Sequence, residues 1–236
     1  MGMDLKKTIG ALERLADPGK VVIKQEKFGI TADHSLGIYH GDLKVLAKEI
    51  GTDHDLALAL MKAGIYEARL LGSKVVDPGR VTPALMDQWA VGFENWEICD
   101  SFCMGVFVKS EHAMGKLVEW SAHEGEFVKR AAFTMMAAYG FANKNAANDV
   151  FESFLPLIER EAMDSRLYVK KAVNWALRNI GKRNEDLWGE AITAAHRILK
   201  RNSPSAQWIA RHALRQLQNP NMKKMDYPRS IYRYPK

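Results

Sequence analysis

Two segments of the sequence place a tryptophan next to charged side chains. In the first, FENWEICDSFCMGVF at 93–107, Trp96 and Asp100 are four residues apart and are neighbours on one face of a helix. The rest of this segment is strongly apolar, and an isolated carboxylate is costly there unless it is paired or lines a cleft. Asp100 therefore either pairs with a base such as Arg130 inside the protein or provides an anionic group in a partly dry groove beside Trp96. The pattern alone favours the internal pair.

The second segment, YVKKAVNWALRNIGKRN at 168–184, reads as an amphipathic helix. Its apolar face consists of Val169, Ala172, Val173, Ala176 and Ile180. Its opposite face carries Lys171, Trp175, Arg178 and, if the helix continues past Gly181, Lys182. Either a neighbouring segment covers the tryptophan, or an indole flanked by cations contacts a sugar, base or cation while the cations hold phosphates. Spacing alone does not decide between these two interpretations.

Helical periodicity extends over most of the chain after residue 40, and one pattern recurs. The segments FVKRAAF at 127–133, YVKKAVNW at 168–175 and WIARHAL at 208–214 each place a basic residue three positions after an aromatic one. Each follows another helical segment, and the spacing of about 30 to 40 residues is typical of stacked helical hairpins. We predict an all-α fold, an α-solenoid of HEAT-like repeats with a concave basic groove. Arg130, Lys171 and Arg211 are expected to form a row along it.

We expect a single repeat domain over 1–236, in which 1–40 forms a helix and loop, 41–217 the repeats, and 218–236 a basic tail. The net charge of +6 is a mild indication of an anionic partner. No apolar run is long enough to cross a membrane, and no signal peptide is apparent. Cys99 and Cys103, four apart on one predicted helix, are expected to be buried, reduced thiols in a cytoplasmic protein. The seven histidines show no ligand spacing, so we expect no metal and no cofactor.

Several segments resemble one family. They are GIYHGDLKVLAKEIG, GIYEARLL, NWEICD, GEFVKRAAF and, most specifically, VKKAVNWALRNIGKRN. Together, over about 28–217, they look like the bacterial DNA alkylation repair glycosylases of the AlkD type. The resemblance implies a HEAT-like repeat fold that binds duplex DNA and hydrolyses the N-glycosidic bond of N3-methyladenine and N7-methylguanine. We also expect a monomeric protein that acts at the bacterial nucleoid.

The resemblance also implies site residues. A cleft of one carboxylate and two indoles corresponds to Asp100, Trp96 and Trp175, while family arginines that hold the DNA backbone correspond to Arg130 and Arg178. The remaining phosphate contacts are expected from Lys170, Lys171, Lys182 and Arg183. An alkylated purine is already cationic and is a good leaving group. A fixed carboxylate and two indole faces would then stabilise the oxocarbenium-like sugar that forms as the bond breaks.

The chain departs from the family pattern at two positions. An aromatic residue of the family cleft falls at Leu167, with Tyr168 beside it, and Asn174 replaces a small residue before the second tryptophan. Two other functions remain open. One is a non-catalytic module that binds damaged or branched DNA, and the other is a helical scaffold for a protein partner. The scaffold interpretation requires that Arg130, Lys171 and Arg178 do not share a groove.

Overall fold

A computed structural model describes residues 3–232, and within this range the protein contains helices and no strand. The helices are α1 (Leu5–Arg14), α2 (Pro18–Phe28), α3 (His40–Ile50), α4 (His54–Met61), α5 (Tyr66–Val75), α6 (Pro83–Val91), α7 (Trp96–Gly105), α8 (Ala113–Trp120), α9 (Glu126–Ala142), α10 (Asn148–Glu152), α11 (Leu155–Glu161), α12 (Leu167–Gly181), α13 (Glu185–Leu199), α14 (Pro204–Leu217) and α15 (Arg229–Tyr232). Short 3-10 turns lie at Pro78–Arg80 and Phe107–Lys109. The described helices include none that is both long enough and apolar enough to cross a membrane.

The helices divide into two compact units. The first, Met1–His112, contains α1 to α7, and the second, Ala113–Lys236, contains α8 to α15. The N-terminal segment 1–40 forms two helices and a loop, whereas the sequence suggested one helix. Residues 1–2 and 233–236, which belong to the predicted N-terminal segment and basic tail, lie outside the described residues. The single-domain assignment over 1–236 stays a prediction.

Capping side chains in the sequence explain where several helices begin. Thr82 and Ser203 are N-caps whose hydroxyls accept hydrogen bonds from the backbone N–H groups of Leu85 and Ala206, and each precedes a proline. Asp17, between α1 and α2, also caps α2 by accepting from the N–H groups of Gly19 and Lys20. The residues that separate α1 from α2 therefore also start α2.

The recurring aromatic positions lie at or near the starts of successive long helices. Phe127 and Tyr168 are the second residues of α9 and α12, and Trp208 is the fifth residue of α14. Each of these helices follows another helical segment, as expected: α8 precedes α9, α10 and α11 precede α12, and α13 precedes α14. The helical segment before α12 is split into α10 and α11 near Pro156, because a proline has no N–H for the helix ladder and is tolerated only in a first turn. The helical-hairpin pattern of the sequence is therefore confirmed.

Helix α12 is the centre of the second unit, since it packs against α9, α13 and α14. All five residues of its predicted apolar face are buried. The helix ends at Gly181, where a Cβ atom would lie 2.8 Å from Cδ2 of Leu217 and 2.9 Å from Cβ of Ala191. Glycine is the residue that permits this close approach of α13 and α14. Lys182 is therefore the C-cap of α12 and not a residue within the helix.

Candidate functional site

The outer face of α12 carries Lys171, Trp175 and Arg178, and Lys182 follows as the C-cap of the helix. These four residues are here named the α12 stripe. Lys171 is exposed, and the other three side chains are half-buried. Trp175 is not enclosed between helices, and its indole N–H donates no hydrogen bond to another described residue. A surface role for Trp175 requires that its ring is not fully buried, and the ring is half-buried. An amphiphilic ring of this size at the surface, between cations, is suited to a sugar or base with phosphates on either side.

Helix α14 continues this surface. The guanidinium of Arg178 donates a hydrogen bond from Nη1 to Oε1 of Gln216, at 2.6 Å, and another from Nε to the carbonyl of Asn174, at 3.3 Å. These bonds fix the direction of Arg178 at the junction of α12 and α14. Fixed orientation reduces the side-chain entropy that a long cation loses when it binds an anion.

The cations at this junction repel one another. Burial lowers the pKa of Arg178, and burial together with the charge of Arg178 lowers the pKa of Lys182. Partial loss of hydration and the charges of Arg215 and Arg178 lower the pKa of His212. None of these four side chains forms an ion pair with a carboxylate of the described residues. Positive charge that the fold leaves uncompensated favours an anionic partner.

The remaining predicted cations of α12 and α14 differ in their surroundings. Nζ of Lys170 lies 5.0 Å from the ring centroid of Trp208, and this lysine is half-buried. Nζ of Lys171 lies 6.0 Å from the centroid of Tyr168. Arg211 is exposed and donates a hydrogen bond from Nη2 to Oε1 of Gln207 at 3.2 Å. Among the described residues, none of the three cationic groups forms an ion pair with a carboxylate, and their contact with phosphate stays a prediction.

Arg183 corrects one expectation. It is 0% exposed, and its guanidinium donates hydrogen bonds to the carbonyls of Gly140, Lys144 and Ala146. It also stacks 4.1 Å above the ring centroid of Phe151. A guanidinium used in this way holds the connection between α9 and α10 and has no surface to offer a phosphate. The prediction that Arg183 binds phosphate is therefore wrong.

Arg130 also has an internal role. It is 5% exposed, and its Nη1 donates to the carbonyl of Tyr168 at 2.9 Å, so that it joins α9 to the start of α12. The predicted row of Arg130, Lys171 and Arg211 is therefore not a row of equivalent side chains, because Arg130 is buried and the other two are exposed. A phosphate contact by Arg130 stays a prediction.

The two positions that depart from the family pattern have clear structural settings. Asn174 is buried, and its Nδ2 donates to the carbonyl of Ile209 at 2.9 Å, so it joins α12 to α14 and does not lie on the stripe. Leu167, the first residue of α12, is 49% exposed. Tyr168 packs its ring 5.3 Å from that of Phe127, centroid to centroid. The chain thus presents an aliphatic side chain where the family resemblance leads one to expect an aromatic.

Trp96 and Asp100 lie on α7 of the first unit. Both are half-buried and one helical turn apart. The indole N–H of Trp96 donates to the carbonyl of Phe28 at the end of α2, at 2.9 Å, which fixes the plane of the ring. Trp96 lines an apolar cavity of about 370 Å³ together with Phe28, Ile30 and Tyr39. The N-terminal helices thereby orient one of the two predicted cleft tryptophans.

A buried ionic cluster supports this arrangement. Nζ of Lys24 on α2 lies 2.9 Å from Oε2 of Glu97 and 3.7 Å from Oε1 of Glu67. The hydroxyl of Tyr66 donates to Glu97 at 2.9 Å, and Nε2 of His40 lies 3.4 Å from the same carboxylate. Burial alone would raise the pKa of Glu97, but hydrogen bonds from His40, Lys24 and Tyr66 lower it to about 2. The cluster fixes α2 and α3 to α7 beside Trp96.

Glu67 completes the attachment of the N-terminal loop. It is fully buried, and it accepts hydrogen bonds from the hydroxyl of Ser35 and from the backbone N–H groups of Leu36, Gly37 and Ile38.

Cys99 and Cys103, on the same helix as Trp96, are buried, and neither is in a disulfide, as the sequence predicts.

The sequence analysis missed His212 and Arg215. A signal for them was present, because Trp208, Arg211, His212 and Arg215 follow i, i+3, i+4, i+7 spacing and so share one face of α14. The Lys24–Glu97 pair had no comparable signal, since 73 residues separate its members (97 minus 24).

Two sequence comparisons relate this chain to known proteins. The model of a family described as DNA alkylation repair enzyme matches residues 8–217. An uncharacterized protein of Listeria innocua, Lin0241, is 23% identical over 167 residues, which cover 70% of this chain and 72% of that protein.

One solved structure is described as a new family of proteins related to the HEAT-like repeat DNA glycosylases with affinity for branched DNA structures. It matches with a TM-score of 0.71 and 21% identity over 90% of this chain and 95% of that one. The described helices therefore adopt the HEAT-like repeat fold predicted from the sequence. Because the family model covers most of the chain, the protein belongs to the DNA alkylation repair enzyme family.

Proposed function

We propose that the protein is a DNA glycosylase that binds duplex DNA and hydrolyses the N-glycosidic bond of cationic alkylated purines, N3-methyladenine and N7-methylguanine. The observation that carries the proposal is the α12 stripe. Trp175 lies there at the surface, between Lys171 and Arg178, and Arg178 and Lys182 have no ion-pair partner among the described residues. Proteins that bind nucleic acids commonly combine an accessible aromatic ring with basic side chains that have no acidic partner.

In this proposal the cations hold the phosphate backbone. Lys171, Arg178 and Lys182 would contact phosphates without reading base edges, so binding would depend on salt and not on sequence. Family membership and the match to a relative of the HEAT-like repeat DNA glycosylases support a DNA partner.

Asp100 would provide the catalytic charge. The alkylated base departs as a neutral molecule, and the positive charge passes to the deoxyribose as the bond breaks. A carboxylate directed at this charge stabilises the transition state more than the ground state, and it can also orient the attacking water. The indole faces of Trp96 and Trp175 would add cation–π attraction, worth about 1–2 kcal/mol where water is excluded.

Release of methylated bases tests the proposal. Purified protein is incubated with methylated duplex DNA, and free N7-methylguanine and N3-methyladenine are measured for wild type, Asp100→Asn and Asp55→Asn. Asp55 is a matched control because it is an exposed carboxylate in the same unit, paired with Arg80. We expect release by wild type and by Asp55→Asn and loss of most release by Asp100→Asn. Wild-type release by Asp100→Asn would overturn the mechanism.

A second candidate retains DNA binding without hydrolysis. It is favoured by Leu167, an exposed aliphatic residue at a position where the resemblance leads one to expect a cleft aromatic, and by the solved relative described as having affinity for branched DNA. The same experiment separates the two functions, because the second predicts salt-sensitive binding of DNA by the wild type with no base release.

A further inference from the structure

Helix α14 forms one wall of a second cavity, which the proposed glycosylase reaction does not use. The cavity measures about 440 Å³, and its lining includes Trp208, Arg211, His212 and Arg215. These four residues lie on one face of α14 at the spacing described above. We call this recess the α14 cavity.

The two aromatic rings of the α14 cavity pack against each other in a tilted arrangement. The ring centroids of Trp208 and His212 are 4.3 Å apart, with 34° between the ring planes. The ammonium group of Lys170 also lies against the indole, at 5.0 Å from its centroid. Neither aromatic ring is fully buried, so the pair is a platform at the surface and not part of the core. Platforms of this kind bind planar groups by stacking.

The charge of the α14 cavity is positive. Arg211 and Arg215 are exposed, and among the described residues neither forms an ion pair. No carboxylate lines the cavity. A ligand that is both planar and anionic therefore fits better than a neutral or cationic one.

The α14 cavity adjoins the α12 stripe. Arg178 of the stripe donates its hydrogen bond to Gln216 of α14, and Arg178 is close enough to His212 to affect the titration of the imidazole. The stripe follows the length of α12, as expected for contacts with successive phosphates of a duplex. The cavity is a recess lined by rings. A base inside a duplex has both faces covered by its neighbours and cannot stack on a protein ring, whereas an unpaired base has faces free to do so.

We propose that the α14 cavity binds an unpaired nucleotide of DNA, so that the protein prefers duplexes that carry a single-stranded extension over blunt duplexes. The base stacks on the Trp208–His212 pair, and Arg211 and Arg215 hold the adjacent phosphates. This inference rests on the proposed binding of duplex DNA by the α12 stripe. It adds a second element of the substrate, namely the junction between duplex and single strand.

Fluorescence anisotropy with three labelled DNAs tests this preference. The DNAs are a blunt duplex, the same duplex with a short single-stranded extension, and the same extension with abasic sites in place of its bases. We expect the extension to tighten binding by at least about 5-fold, the lower end of what one stacked base contributes. We expect the abasic extension to lose most of this gain, since it retains the phosphates alone.

Variants of the cavity provide the second part of the test. Trp208→Ala and Arg215→Ala should each remove most of the preference for the extension while binding of the blunt duplex falls less than about 2-fold. Lys6→Ala is the charge-matched control, because Lys6 is exposed on α1 in the other unit and forms no ion pair among the described residues. Trp208→Phe keeps a stacking ring and should retain part of the preference. It therefore distinguishes the loss of stacking from a folding defect in Trp208→Ala.

The possible outcomes separate the two proposals. If the wild type binds the blunt and extended duplexes equally, or binds the abasic extension as tightly as the normal one, the role of the α14 cavity is wrong while duplex binding stands. If the wild type binds none of the three DNAs, the proposed function fails, and the inference fails with it. A preference that survives in both Trp208→Ala and Arg215→Ala would place the single-strand contact elsewhere and would overturn the assignment.

Discussion

Nη1 of Arg178 on α12 lies 2.6 Å from Oε1 of Gln216 on α14, and this hydrogen bond joins two basic surfaces of the second unit. On one side is the α12 stripe with Trp175, and on the other is the α14 cavity with Trp208. The bond leaves the charge of Arg178 uncompensated, because an amide is neutral. Arg178 therefore contributes positive charge to both surfaces. We expect its removal to weaken the binding of DNA at both of them.

Replacement of Arg178 by alanine should weaken DNA binding evenly across sequences. If Arg178 contacts one phosphate, the slope of log K against log salt concentration should become less negative by about 0.9, the value expected for one released counterion. Salt titrations of duplex binding by wild type, Arg178→Ala and the control Lys6→Ala measure this difference. An unchanged slope in Arg178→Ala would show that Arg178 contacts no phosphate.

Replacement of Trp175 by alanine should slow base release without unfolding the protein. The side chain is half-buried and lies outside the apolar face of α12, so its loss leaves the core intact. We expect single-turnover release to fall about 5- to 30-fold, which corresponds to loss of a cation–π contribution of ~1–2 kcal/mol. Trp188→Phe is the matched control, since Trp188 uses its indole N–H to hold the carbonyl of Leu217 and has a structural role. Equal effects of both variants on release would argue against a role of Trp175 at the reacting sugar.

Binding of the duplex that carries the single-stranded extension should strengthen as the pH falls. Partial loss of hydration and the charges of Arg215 and Arg178 lower the pKa of His212 in the free protein, and bound phosphates would offset the repulsion and raise this pKa. A group whose pKa is higher in the complex takes up a proton on binding, so affinity increases on going from pH 8 to pH 6. Anisotropy titrations across this range should show the trend in wild type and its loss in His212→Gln. Equal pH dependence in the two proteins would rule out His212 as the source.

Glu97 should contribute to stability over a defined range of pH. Its pKa in the folded protein, about 2, is below the ordinary value of 4.5, so the stabilisation is fully present above about pH 4.5 and is lost as the pH falls towards 2. Glu97→Gln leaves Lys24 buried without its closest partner, and breaking a buried pair in this way costs about 3–5 kcal/mol. Urea unfolding of wild type and Glu97→Gln at pH 7, and at several pH values between 4.5 and 2.5, measures both effects.

Two results would contradict this account of Glu97. The first is a loss of stability at pH 7 no larger than that of Glu49→Gln, the control, which changes an exposed glutamate without an ion pair among the described residues. The second is an unchanged dependence of stability on pH below 4.5 in Glu97→Gln, since the variant lacks the group that takes up the proton.

The sequence predicted the helices well because their signals are local. Periodicity, capping hydroxyls and prolines act within a few residues, and the apolar face of α12 is buried as its spacing predicts. The surface position of Trp175 follows from the same geometry, because a residue opposite the apolar face remains outside unless another element covers it. These features are determined by the helix itself.

The failures concern contacts between distant segments. Arg183 belongs to a basic run after Gly181, and its spacing resembles that of a phosphate-binding side chain. The turn that follows α12 instead directs it inward, where carbonyls of residues 140, 143, 144 and 146 accept its hydrogen bonds. Arg130 differs from Lys171 for the same reason, since the start of the next repeat covers it. In a repeat protein, equivalent positions in the sequence can differ in burial because each repeat is covered by a different neighbour.

The most direct measurement is single-turnover base release and binding on one methylated duplex, for wild type and Asp100→Asn. A hydrolase that depends on Asp100 should give bound DNA with both proteins, release with the wild type, and loss of most release with the variant. Binding by both proteins with no release by either, or with equal release by both, would contradict the claim that Asp100 drives hydrolysis of the glycosidic bond.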